Sequence, residues 1–95
     1  MRVAWLAAAE HDRAAIVDDI ASDNPAAAKS MDEVFSNAAT RLATFPLLGH
    51  PGRLPGTREI LPHRSYRLVY AIHDETVWIL ALVHTARMWP PVRVR

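Results

Sequence analysis

Arginine and histidine, the two side-chain types here best suited to acting on an anion, are unevenly placed along this 95-residue chain. Residues 46–95 carry Arg53, Arg58, Arg64, Arg67, Arg87, Arg93 and Arg95 against only Glu59, Asp74 and Glu75. Four of the five histidines, His50, His63, His73 and His84, lie there too. A guanidinium presents a fixed fork of donors that matches a phosphate or a carboxylate. An imidazole changes charge close to neutral pH, which suits proton transfer. Any single arginine is as well explained by a solvated face. Together, the arginines and histidines point to an anionic partner. The first half has the opposite bias, with Arg2, Arg13, Lys29 and Arg41 set against Glu10, Asp12, Asp18, Asp19, Asp23, Asp32 and Glu33.

Two positions in the basic half stand out. Tyr66 to Ile72 alternates: Tyr66, Leu68, Tyr70 and Ile72 share one face of a strand, and Arg67, Val69 and Ala71 share the other. Arg67 therefore need not enter the core, and two roles are open to it, a phosphate contact or an ion pair with Glu59 across the sheet. His84 closes the apolar run Val77–Val83; it can serve as an acid–base group or as a strand-end histidine bonded to backbone. Arg87 follows by three and can hold a phosphate or lie solvated. Arg58 and Arg64 can line the same face, or be a partner of Glu59 and a turn residue. A metal site is not expected: the histidines are scattered, there is no cysteine, and no carboxylates cluster with them. No cofactor is expected either.

The elements that must position these residues follow from the pattern. Val3-Ala4-Trp5 reads as a short strand. Ala8 to Ser22 reads as a helix with Ala9, Ile16, Val17 and Ile20 on one face and Asp12, Arg13, Asp18 and Asp19 largely on the other. Asn24 and Pro25 form a cap and first turn for a second helix reaching Thr44. Its apolar stripe is Met31, Val34, Phe35, Ala38, Leu42 and Phe45. The segment 47–56 holds all three glycines and two prolines, and is expected to be a loop. Strands are expected at Thr57–Leu61, closed by Pro62, at Tyr66–Ile72, and at Val77–Val83. The last is apolar throughout, as in a central strand covered on both faces. His73-Asp74-Glu75 is the turn between the last two. The fold class is α+β, in the order β-α-α-β-β-β, with a helical hairpin packed on a small, mainly antiparallel sheet.

The length fits a single domain over residues 1–95, with 89–95 a loose tail. A small secreted domain usually relies on disulfides, and a chain without cysteine is expected in a reducing compartment, the cytoplasm, or beside a partner protein that completes its core. No signal peptide is expected, since Met1-Arg2-Val3-Ala4-Trp5 soon meets Glu10, His11 and Asp12, and no stretch is long and apolar enough to cross a bilayer.

Several segments in this order resemble one family. They are Trp5; Asp23-Asn24-Pro25-Ala26-Ala27-Ala28; Leu42-Ala43-Thr44-Phe45-Pro46-Leu47-Leu48-Gly49; Gly56-Thr57-Arg58-Glu59-Ile60; Tyr66-Arg67-Leu68-Val69-Tyr70; Val77-Trp78-Ile79-Leu80; and His84-Thr85-Ala86-Arg87-Met88-Trp89. Their order and spacing resemble the RelE/ParE superfamily of bacterial type II toxins, over nearly the whole chain. The resemblance implies a toxin neutralised by a cognate antitoxin in a hetero-oligomer. It leaves two targets. RelE-like members cut mRNA at the ribosomal A site as metal-independent endoribonucleases (mRNA interferases), and ParE-like members inhibit DNA gyrase without catalysis. On the first, preferred reading, Arg67 matches a phosphate-stabilising arginine, His84 acts in acid–base work, and Arg58, Arg64 and Arg87 hold RNA. Two departures favour the second: the basic half has no lysine, and no tyrosine follows Tyr70. Arg67, His84 and Arg87 must converge on one exposed face if the nuclease site exists.

Overall fold

A computed structural model describes residues 1–91. Of the expected tail, Trp89 and Pro90 are half-buried, Pro91 is exposed, and residues 92–95 lie outside the described residues. The elements are β1 (Arg2–Trp5), α1 (Ala7–Ala21), α2 (Pro25–Thr44), β2 (His50–Pro51), β3 (Arg58–His63), β4 (Tyr66–His73) and β5 (Thr76–His84). The five strands form one sheet in the order β1-β5-β4-β3-β2, parallel between β1 and β5 and antiparallel elsewhere. The fold is the expected α+β arrangement of a helical hairpin on a mainly antiparallel sheet.

Local chemistry explains the boundaries. The Asn24 side chain accepts the Ala27 amide at 3.1 Å, and Pro25 fills the first helical position of α2. Asp74 and Glu75 both have positive φ, 51° and 56°, which makes the β4–β5 connection a tight hairpin turn twisted to match its strands. Two expected strand limits need correction. The glycine- and proline-rich loop contains a short strand after all, β2, whose His50 and Pro51 pair with Glu59 and Arg58. Pro62 does not close β3, which runs on to His63. Beyond Arg58 and Glu59 the outer side of β3 has no strand partner among the described residues, so a residue without an N–H costs no ladder bond there.

The core lies between the helices and one face of the sheet. Phe35, Ala38, Ala39 and Leu42 of α2 and Ala9 of α1 meet Leu68, Tyr70, Val77, Ile79 and Leu82. Phe45, expected to extend the α2 stripe, is instead 58% exposed. Asp12 and Arg13 do not lie on a solvated face. Asp12 Oδ2 accepts the Leu82 amide at 3.1 Å. Arg13 Nε meets Asp32 Oδ1 at 2.7 Å while its guanidinium lies 4.9 Å from the centre of the Trp5 ring. The pair thus joins α1, α2 and β1. Among the described residues the second face of the sheet carries no helix, so β5 is an inner strand but no helix covers its second side.

Tyr70 fastens the segment after α2 to the sheet. Its side chain is fully buried, its hydroxyl accepts the Gly49 amide at 2.8 Å, and it donates to the Pro46 carbonyl at 2.7 Å. The approach is so close that a Cβ on Gly49 would sit 2.8 Å from this hydroxyl. Tyr70→Phe keeps the ring and strands both backbone groups. Urea denaturation should show a loss of about 1–3 kcal/mol with an unchanged m value.

Candidate functional site

The placement of the candidate residues depends on a bulge in β5. Tyr70 pairs with Ile79 and Val69 with Ala81, which leaves Leu80 without a partner on β4. Before the gap, Val77 and Ile79 face the helices; after it, Leu82 does. An extra residue shifts the alternation by one and exchanges the faces of everything beyond it. An unbroken ladder would set His84 on the face of Arg67. With the bulge, His84 pairs with Tyr66, and Arg67 pairs with Val83.

Arg67 and His84 therefore point to opposite sides of the sheet, and the expected convergence of Arg67, His84 and Arg87 on one face does not occur. The Arg67 side chain lies on the face without helices. Its Nε is 3.1 Å from Glu59 Oε1, with the two side chains 19% and 4% exposed. The other carboxylate oxygen of Glu59 accepts the Arg53 amide at 3.1 Å. Of the two roles open to Arg67, the ion pair is the one formed. A cleft of about 340 Å³ opens here, lined by His50, Gly52, Arg53, Glu59, Leu61 and Arg67. Arg58, paired in register with Tyr70, is on the helix-side face and donates through Nη1 to the Gly49 carbonyl at 2.6 Å. It does not share the face of Arg67.

His84 belongs to a different group. Its ring lies edge-on to Tyr66 at 5.3 Å, and Tyr66 lies 6.0 Å from His63 on its other side. Both imidazoles are fixed in the same way. His84 Nδ1 accepts the Ala86 amide and His63 Nδ1 accepts the Ser65 amide, each at 3.0 Å. These bonds leave Nε2 of each ring as the nitrogen that carries the proton when the ring is neutral. Arg64 is exposed in the turn between β3 and β4, where its carbonyl accepts the Thr85 hydroxyl at 3.0 Å. Arg87 is exposed and lines a second cleft of about 750 Å³ with Asp12, Asp19, Tyr66, His84 and Trp89. The buried indole nitrogen of Trp89 has no partner among the described residues. The His63–Tyr66–His84 row was not foreseen, though the clue was in the sequence: His63 and Tyr66 flank a two-residue turn and so must pair. Among the described residues no three His, Cys, Asp or Glu side chains come together as a metal would require.

Comparison with known proteins bears on this geometry. Residues 3–89 match the family model described as the ParE toxin of the type II toxin–antitoxin system parDE. A candidate toxin of Sinorhizobium fredii (strain NBRC 101917 / NGR234), Y4kP, is 36% identical over 74 residues, which cover 77% of this chain and 76% of that protein. A solved structure described as the chromosomal ParDE TA system from P. aeruginosa superposes with a TM-score of 0.79 at 20% identity, over 88% of this chain and 95% of the other. That likeness is one of fold.

The Glu59–Arg67 pair predicts a stability result. Arg67→Met leaves a buried carboxylate with one backbone donor, and should cost up to about 3 kcal/mol in urea unfolding. Adding Glu59→Leu should recover most of that loss. A double variant as unstable as Arg67→Met would show that the pair is not what holds Glu59.

Proposed function

The chain belongs to the ParE toxin family of type II toxin–antitoxin systems, and on that premise we propose that it arrests growth by occupying DNA gyrase, without catalysis, until a cognate antitoxin removes it. One observation carries the choice of target. Arg67 and His84, the pair on which RNA cleavage would depend, lie on opposite faces of the sheet. Metal-free cleavage needs a base at the 2′-hydroxyl, an acid at the leaving oxygen and a cation at the phosphate, all within reach of one scissile bond. Arg67 is also held by Glu59, a carboxylate that competes with any phosphate.

The uncovered face of the sheet favours a protein contact. Ala4, Ala71, Trp78 and Val83 lie there, all partly exposed, and among the described residues no helix packs over them. A sheet face with apolar side chains along its middle and charged ones toward its ends, Arg67 at one and Arg2 at the other, suits association with another protein.

A nuclease reading keeps one specific support, the His63–Tyr66–His84 row with Arg64 and Arg87 nearby in the chain. Two imidazoles could share acid and base roles there. The two readings separate in a paired assay. Purified protein should block supercoiling by gyrase while mRNA in a translating extract stays intact, and His63→Ala and His84→Ala should leave the block unchanged. Codon-positioned cuts that disappear in those two variants, with supercoiling unaffected, would overturn the gyrase reading.

A further inference from the structure

Three ring side chains cross one end of the sheet in a row. His63 of β3 pairs with Tyr66 of β4, and Tyr66 pairs with His84 of β5, so the three share the helix-side face. Neighbouring strands lie about 4.8 Å apart, which makes the row about 10 Å long. Tyr66 anchors it: its ring meets Phe35 of the core edge-on at 5.4 Å. Arg64 sits in the turn between His63 and Tyr66, and Arg87 follows His84 by three residues. Both arginines are exposed, with no ion-pair partner among the described residues.

Backbone bonds fix this end in place. The Thr85 amide donates to the Ser65 carbonyl at 2.8 Å, and the Thr85 hydroxyl donates to the Arg64 carbonyl at 3.0 Å. The Arg87 amide closes a turn on the His84 carbonyl at 2.9 Å. The two segments that carry the cations are thus tied to each other. The same kind of bonding decides what the imidazoles can do. Nδ1 of each ring accepts a backbone amide, so a neutral ring has its proton on Nε2 and no lone pair left for a substrate proton. A base must give up its backbone bond first. As they stand, both rings donate.

Two guanidiniums and two imidazole N–H groups call for an acceptor with many oxygens. The nearby carboxylates limit where it can lie. Asp12 and Asp19 line the cleft beside the row; Asp12 holds the Leu82 amide and Asp19 is exposed. Their charge repels a phosphate from the interior of the cleft more than from its rim. A small phosphate compound seated inside is disfavoured, and a chain of phosphates passing along the rim is not.

We propose that this end of the sheet is a sequence-independent contact for the backbone of duplex DNA, made by Arg64, Arg87 and the Nε2 groups of His63 and His84. A duplex carries one phosphate charge per about 1.7 Å of its axis, twice the density of one strand, and holds its phosphates in place to meet donors that are themselves fixed. The contact is not catalytic. The choice of DNA over RNA rests on the reading of gyrase as the target, since a DNA-bound enzyme brings a duplex beside the toxin. The open sheet face then holds the enzyme while this end lies on its DNA, and two linked contacts bind more tightly than either alone.

The test titrates a fluorescent DNA duplex of about 20 base pairs with the protein at several salt concentrations and reads anisotropy. Wild type is compared with Arg64→Ala, Arg87→Ala, their double variant, His84→Phe and Arg41→Ala. Arg41 is the control cation: it is exposed and lines a separate, mostly apolar groove between α2 and the outer edge of β3. Circular dichroism checks folding, and the substituted positions are all exposed. Each arginine variant should weaken binding by about threefold to tenfold and lower the salt slope by about one, and the double variant should lose about tenfold or more. His84→Phe removes a neutral donor, so it should weaken binding by about threefold with the slope unchanged. Arg41→Ala should bind like wild type, and a single-stranded RNA of the same length should bind more weakly than the duplex. In a supercoiling assay the double variant should need more protein for half-block, with the block still complete at saturation.

If wild type does not bind the duplex at low salt, or Arg41→Ala loses as much as the double variant, the contact does not exist, whether or not supercoiling is blocked. If the RNA binds more tightly and loses affinity in the same variants, the occupant is RNA and the proposal is wrong. If duplex binding falls as expected in the variants but wild type leaves supercoiling untouched, the contact stands and the gyrase reading falls.

Discussion

Leu80 has no partner on β4, and that gap sets the faces of the last half of β5. Side chains on a strand alternate, so an unpaired residue exchanges inside for outside beyond it. Leu82 turns inward and joins Phe35, Leu42 and Leu68 in the core. His84 turns toward the same side and meets Tyr66. Arg67 stays on the face without helices. The bulge also needs its own satisfaction. β1 stops at Trp5, whose partner is Ile79, so among the described residues the edge of β5 beyond that point lacks a strand, and Asp12 of α1 takes up the Leu82 amide. A buried apolar side chain and a helix carboxylate thus hold the bulge in place from two directions.

The same one-sided construction produces the molecule's open surfaces. Both helices pack on a single face, tied together by Arg13, Asp32 and Trp5. The segment after α2 is drawn in by Tyr70, which shortens β2 and bares the edge of β3. The molecule therefore offers an open sheet face, an apolar groove at one edge and a cleft beside α1 at the other. Arg67 lies on the open face, while His84 and Arg87 line the cleft beside α1. A shared fold hosts different activities, and the difference lies in such sites.

Much of this was legible in the residues. The Asn24-Pro25 cap, the period of α2 and the alternation of Tyr66–Ile72 place those elements within a residue or two. The family follows from the order of the same segments. The bulge was not legible, for a physical reason. Val77–Val83 is apolar at every position, so it has no alternation in which a change of phase could be seen. His84 could therefore be placed at the end of the strand but not on a face. β2 was hidden for another reason: His50 and Pro51 sit among glycines and prolines, and only pairing with β3 makes them a strand. The two roles for Arg67 could not be separated until the register set Glu59 opposite Val69, next to it on the same face.

The separation of Arg67 from His84 is the centre of this account, and proton–proton distances from isotope-filtered nuclear Overhauser spectra of the labelled protein measure it directly. A bulged β5 predicts cross-peaks from the His84 imidazole to the Tyr66 ring, from the Leu82 side chain to the helix-side core, and none from His84 to the Arg67 side chain. Cross-peaks joining His84 to Arg67, with Leu82 facing away from the helices, would mean an unbroken β5 and a single face carrying both residues, and would contradict it.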